Sequence, residues 1–308
     1  MKTKKTLLIF LGVLMTGSIV QAQGLVDGYY NQKGHLAVTT SYTRVGAYDE
    51  FYVGKEKTGP VPVHNEISQD IFGVYAKYGL LDDLTLVLNV PYIATKGYGN
   101  PDPVNGETKQ SDFQDVCLTA KYRPFRADFS SGRIDGITAL GFAIPSGYEP
   151  NGILSIGNGA FSTDLHIGGH LQLNGGFFST LIAGYSFRGK ASDNLGTNGG
   201  ADFDVPNAFL AVGKLGYAAS KFYVELWMDY QASSSDGVDI MGTGFANNFP
   251  ETRVDYTRLG ISGYVPITKG IGLSAGYGTL LDGRNIGNSG YFSTGVTFSF
   301  DTASSSVN

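Results

Sequence analysis

Hydrophobic and polar positions alternate with a period of two along most of this chain, as strands with two unlike faces require. The pattern predicts twelve strands: 34–45, 67–79, 84–94, 112–123, 134–145, 160–173, 177–188, 205–217, 221–232, 253–266, 270–281 and 290–300. The third sets Leu84, Leu86, Leu88, Val90 and Tyr92 on one face. The ninth sets Phe222, Val224, Leu226 and Met228 against Tyr223, Glu225, Trp227 and Asp229. The seventh and eighth alternate less clearly, and no faces are assigned to them. The connections alternate as well. Short ones fall at 81–83, 174–176, 218–220 and 268–270, with a medium one at 124–133. Long ones fall at 46–66, 95–111, 146–159, 189–204, 233–252 and 282–289.

A soluble β-sandwich also alternates, so alternation alone does not decide the fold. The predicted strands are near the ~9–11 residues that cross a bilayer. Aromatic residues sit at their ends (Tyr42, Tyr78, Tyr92, Tyr122, Phe300), where an interfacial girdle belongs. One short–long loop rhythm runs through the whole chain. Together these predict a single all-β domain: a transmembrane antiparallel up-and-down β-barrel of about twelve strands. Closure removes the sheet edges that a bilayer cannot tolerate. Short turns are expected in the periplasm and long loops outside, with both termini on the periplasmic side.

Residues 1–22 carry the signature of an export signal. Lys2, Lys4 and Lys5 precede an apolar run over 7–15, and Val20, Gln21 and Ala22 lead to a cleavage point. The barrel is then expected over 23–300 and a flexible tail over 301–308. No later apolar run is long enough for a helical span. The expected location is the outer membrane of a Gram-negative-type envelope, with outer-membrane lipids and the barrel-assembly machinery as partners.

Charged residues make up only 16% of the chain. Without the three signal lysines, 19 basic residues face 27 acidic ones, a balance of −8. That excludes a basic face for nucleic acid. A Lys or Arg on the lipid face near the midplane costs ~2–4 kcal/mol. Lys77, Asp115, Lys121, Asp164, Glu225 and Asp229 are therefore expected to point into the lumen. Arg123, His166 and His170 join them as polar lining. These two-signed charges read equally as a polar conduit or as a cross-strand salt-bridge network.

Tyr75, Tyr223 and Trp227 share the inward face. They could stack on an aromatic solute or fill space. Ile240, Met241, Phe245 and Phe249 lie in the long loop 233–252. They could capture a hydrophobic molecule or pack on neighbouring loops. His166 and His170, four apart on a strand, stand about 13 Å from each other, too far for one metal ion. Asp193, Asn194, Asp202 and Asp204 do not follow a calcium-loop spacing. No metal or cofactor is expected. Cys117 is the sole cysteine, so it has no intrachain disulfide partner. Asp164 and His166 suggest a hydrolase relay, but no G-x-S-x-G accompanies them, and an enzyme is not expected.

Two stretches carry a family resemblance. One is Tyr78-Gly79-Leu80-Leu81-Asp82-Asp83-Leu84-Thr85-Leu86 with Pro91-Tyr92. The other is Gly141-Phe142-Ala143-Ile144-Pro145-Ser146-Gly147, followed by Ser155-Ile156-Gly157-Asn158-Gly159. In these the chain resembles the outer-membrane barrel family named for the meta-pathway of phenol degradation, itself related in outline to long-chain fatty-acid transporters. The likeness covers about residues 65–190, and the remainder follows by rhythm. It implies passive passage of small hydrophobic or aromatic molecules, with no catalytic residues. Fatty-acid transporters carry a substantial N-terminal plug. Here only residues 23–33 precede the first strand, a departure from that pattern. The alternatives are a structural or surface-adhesion barrel with binding loops and, behind it, an outer-membrane lipid hydrolase.

Overall fold

A computed structural model describes residues 26–302. The export signal expected over 1–22, and residues 303–308 of the tail, lie outside the described residues. Twelve strands form one closed antiparallel barrel. They are β1 (His35–Tyr48), β2 (Ile67–Leu81), β3 (Leu84–Gly97), β4 (Val116–Tyr122), β5 (Gly132–Ile144) and β6 (Ser162–Leu173). There follow β7 (Phe177–Arg188), β8 (Ala208–Ala218), β9 (Tyr223–Ser233), β10 (Asp255–Pro266), β11 (Ile271–Arg284) and β12 (Gly290–Asp301). Each neighbour pairs with the next, and β12 closes on β1 from His35↔Asp301 to Val45↔Tyr291. Lys109–Phe113 extends the pairing of β4 with β3 beyond a break at Gln114 and Asp115.

The register follows the alternation, because a one-residue slip would turn every side chain to the wrong face. Leu181 is 67% exposed on the outer wall, and Leu118, Leu165, Leu215, Leu226 and Phe292 are exposed with it. Lys77, Lys121 and Glu225 are buried on the inner face. Aromatic pairs ring the wall towards both ends. Tyr42–Phe72 and Tyr92–Phe113 lie on the loop side, and Phe177–Tyr217 and Tyr217–Phe222 on the turn side. Tyr and Phe combine an apolar body with edges that tolerate the interface.

The structure also supplies the faces of β7 and β8. Phe178 and Ile182 of β7 point inward and are buried, while Phe177, Leu181 and Tyr185 point outward. The inward apolar residues pack on the N-terminal segment, whose Val26 joins Ile137, Ala139 and Ile182. An apolar filling inside the lumen puts large hydrophobic residues on the inner face among Thr180 and Ser186, which blurs the alternation there.

The short turns gather at one end and the long loops at the other. The loops are folded over the barrel. Phe51, Val61, Ile67, Leu154, Ile240 and Phe245 form a shared apolar cluster, with Phe249 against it. Arg284 at the end of β11 clamps the 234–254 loop, donating from Nε and NH2 to the two Asp239 carboxylate oxygens at 2.6 Å each.

Candidate functional site

The lumen has two layers. At the turn end, residues 26–33 run into the barrel and fill it. Asp27 is fully inside. Lys77 Nζ donates to its Oδ2 at 2.7 Å and Lys121 Nζ to its Oδ1 at 2.6 Å. The same two ammonium groups reach the Tyr29 carbonyl at 3.2 and 2.5 Å. Asn31 donates to the Lys77 carbonyl at 2.9 Å. The Tyr30 hydroxyl lies 3.1 Å from the Gly136 carbonyl and 3.2 Å from that of Tyr122. Lys121 and Arg123 lie over the Tyr30 ring, 4.6 and 4.8 Å from its centroid. Tyr29 meets His170, Phe178 and Tyr223 edge-on.

The local sequence explains why this segment fits. A Cβ on Gly28 would overlap the His170 ring, so only glycine lets the chain pass between Asp27 and Tyr29. A Cβ on Gly79 would likewise strike the Gln32 carbonyl. Two lysines buried on β2 and β4, the strands on either side of β3, would cost several kcal/mol without a counter-charge, and Asp27 supplies it. Beside this plug, Lys214 Nζ lies 3.3 Å from Glu225 Oε1, and the Tyr223 hydroxyl donates to Glu225 Oε2 at 2.5 Å.

Above the plug lies a cavity of about 670 Å³. Its wall includes Tyr75, Asn89, Pro91, Cys117 and Tyr291, and its roof includes Ile153, Ile240 and Phe249 from the folded loops. The buried Tyr75 hydroxyl has no hydrogen-bond partner among the described residues. Arg188 and Arg258 also face this space.

The residues singled out from the sequence therefore separate. Lys77, Lys121, His170, Tyr223 and Glu225 surround the plug. Tyr75, Ile240 and Phe249 line the cavity. Trp227 is buried beside it, donating from Nε1 to Ser262 Oγ at 3.1 Å and stacking on Tyr291. Asp229 pairs with Arg258. Asp115 accepts from the Tyr148 hydroxyl at 2.6 Å and so anchors a loop.

Other residues stand elsewhere. Arg123 follows the end of β4 and binds Asp83 at the turn-end rim. Phe245 is buried in the loop cluster, whereas Met241 is 77% exposed. Asp164 accepts a long 3.4 Å bond from Ser162, and no hydrogen bond joins it to His166 among the described residues. No group of three or more His, Cys, Asp and Glu residues that could hold a metal occurs among them.

Sequence reasoning missed Asp27, Tyr29 and Tyr30, which it counted only as a short lead. The signal was present: two inward lysines on β2 and β4 lacked an assigned partner. It also missed His64, buried in the loops with Nε2 3.6 Å from Asp102 Oδ2. The Asp102 oxygens accept the backbone N–H groups of Val104 at 2.8 Å and Ile153 at 3.0 Å, joining two loops. Burial alone would raise this carboxyl, but His64 and the two N–H groups outweigh it and hold it below its ordinary range.

No family model and no curated protein sequence matches the chain. Solved structures do. An outer-membrane channel from Pseudomonas putida F1 has a TM-score of 0.70 at 15% identity, covering 89% of this chain and 100% of its own. The translocator domain of the autotransporter NalP from Neisseria meningitidis has a TM-score of 0.45 at 14% identity, covering 88% of this chain and 90% of its own. The monoaromatic hydrocarbon channel CymD has a TM-score of 0.41 at 9% identity, with 88% and 89% covered. At such identities the likeness to the Pseudomonas channel is one of fold: this chain is a closed, twelve-stranded, antiparallel transmembrane β-barrel.

Proposed function

We propose that this protein is an outer-membrane channel for passive uptake of small, hydrophobic or aromatic molecules. The observation that carries this reading is the 670 Å³ cavity inside the barrel beneath the loop roof. Its size falls in the ~300–1,000 Å³ range of small-molecule sites. Its wall mixes apolar and aromatic groups (Ile71, Tyr75, Pro91, Leu280, Tyr291) with scattered polar ones. Such a lining gives a ring compound apolar and aromatic contact.

On this reading a solute crosses the loops, rests in the cavity and leaves at the turn end when residues 26–33 shift. The process is driven by the gradient alone, with outer-membrane lipids around the wall and the barrel-assembly machinery acting only in biogenesis. The turn end faces the periplasm.

The test is single-channel conductance of the refolded barrel in a planar bilayer, with and without a small aromatic solute. Conductance that the solute blocks supports the reading. A folded barrel with neither conductance nor solute response refutes it and leaves a structural or adhesive role.

A further inference from the structure

We propose that the cavity takes its solute as a carboxylate, docked on Arg188, so that the ligand class is a small organic acid with an apolar ring-sized body. The inference deepens the channel reading above and rests on it. Two charged side chains line the cavity, Arg188 and Arg258, and no carboxylate does. This reverses the sign of the chain as a whole, whose net charge is −5.

The two arginines are not equivalent. Arg258 donates from Nε to Asp229 Oδ1 at 3.1 Å and from NH2 to Oδ2 at 2.5 Å, so its fork is taken. Arg188, at the loop end of β7, makes no ion pair among the described residues. Its NH1 donates to the Pro206 carbonyl at 3.3 Å, its NH2 to Gln231 Oε1 at 3.1 Å, and its backbone N–H to Asn207 Oδ1 at 2.7 Å. These bonds fix the guanidinium in place without neutralising it. A guanidinium carries five N–H donors, so donors remain for a ligand. The nearest acidic groups, Asp115 and Asp164, act on Arg188 through the field without an ion-pair contact, and they accept from Tyr148 and Ser162.

A positioned cation with no carboxylate in direct contact, in a partly enclosed space, draws an anion into it. One planar fork matches a carboxylate. A phosphate, with more charge, would call for further cations, and the lining offers none free. Ile71, Pro91 and Leu280 supply apolar surface for the rest of the molecule.

Benzoate and benzyl alcohol share a ring and differ in charge, so they test the idea on the intact refolded barrel by titration calorimetry at neutral pH. The expected result is tighter binding of benzoate by about tenfold, the scale of one charge-assisted contact. Arg188→Gln should remove that preference and leave benzyl alcohol unchanged. Arg188→Lys should keep part of it. Cys117, the sole cysteine and a wall residue, gives a second readout: bound benzoate should slow its reaction with a thiol reagent.

Equal affinities for the two compounds in the unaltered protein would overturn the proposal and leave the channel reading standing. That comparison needs no variant to fold. Benzoate binding unchanged in a folded Arg188→Gln would overturn it as well. If neither compound binds nor protects Cys117, both the proposal and the aromatic channel reading fall.

Discussion

Asp27 is the residue on which the turn-end layer depends. It balances two ammonium groups that have almost no exposure, with bonds of 2.7 and 2.6 Å. Breaking such a buried cluster by removing one partner costs ~3–5 kcal/mol. Asp27→Asn should therefore lower the urea midpoint of the folded barrel in detergent, and should free residues 26–33 for proteolysis. A variant with an unchanged midpoint and a protected segment would refute the role given to Asp27. Asp102 makes a different prediction in the loops. Its folded-state carboxyl is depressed, so the stability it adds is present above the ordinary carboxylate value and is lost as pH falls through the lower folded value. Protection of the Val104 and Ile153 amides, measured as exchange relative to the intrinsic rate at each pH, should fall on acidification, and should be independent of pH in Asp102→Asn. The two cases differ in legibility. Lys77 and Lys121 could be turned inward from the cost of a charge in lipid, because each sits in a long alternating strand. Asp27 has no such periodic context, and its partners lie 50 and 94 residues away.

The strands were the most legible elements, since lipid outside and polar groups inside give unlike faces at every second residue. β3 and β9 show this directly. β7 did not, because Phe178 and Ile182 fill the lumen against the plug and put large apolar residues on its inner face beside Thr180 and Ser186. The wall can still be tested there. Leu181 is outward in the middle of β7, opposite Gly169 and Gly213. Leu181→Arg should destabilise the barrel by ~2–4 kcal/mol, as an arginine at the bilayer midplane does. The same change at exposed loop residue Met241 should cost almost nothing. Equal midpoints for the two variants in lipid vesicles would argue that β7 is rotated from the arrangement described. The loops were the least legible elements. Ile240, Phe245 and Phe249 are adjacent to Phe51 and Leu154 only because loops from three parts of the chain meet. No local pattern records that meeting.

At the scale of the whole molecule, the barrel is a rigid wall around two stoppers of different kinds. The loop roof is an apolar cluster built from several connections, and loosening one leaves the others. The plug is a single segment held by charge, close aromatic packing and one glycine, Gly28, beside His170. Motion is easier to confine to the single segment, which can leave without opening any β-ladder. Deleting residues 26–31 should accordingly join the cavity to the turn end and raise single-channel conductance well above that of the intact protein. It should also change selectivity. With Asp27 gone, Lys77 and Lys121 face the new water path without their counter-charge, and a local excess of positive charge favours anions. The reversal potential in a potassium chloride gradient should move towards the chloride value. An increase in conductance without that move would mean that Glu225 or Asp135 takes over the neutralisation. Unchanged conductance in a folded barrel would place the restriction in the roof of Phe51, Ile240 and Phe245, and the plug would then be a brace for the wall and no gate.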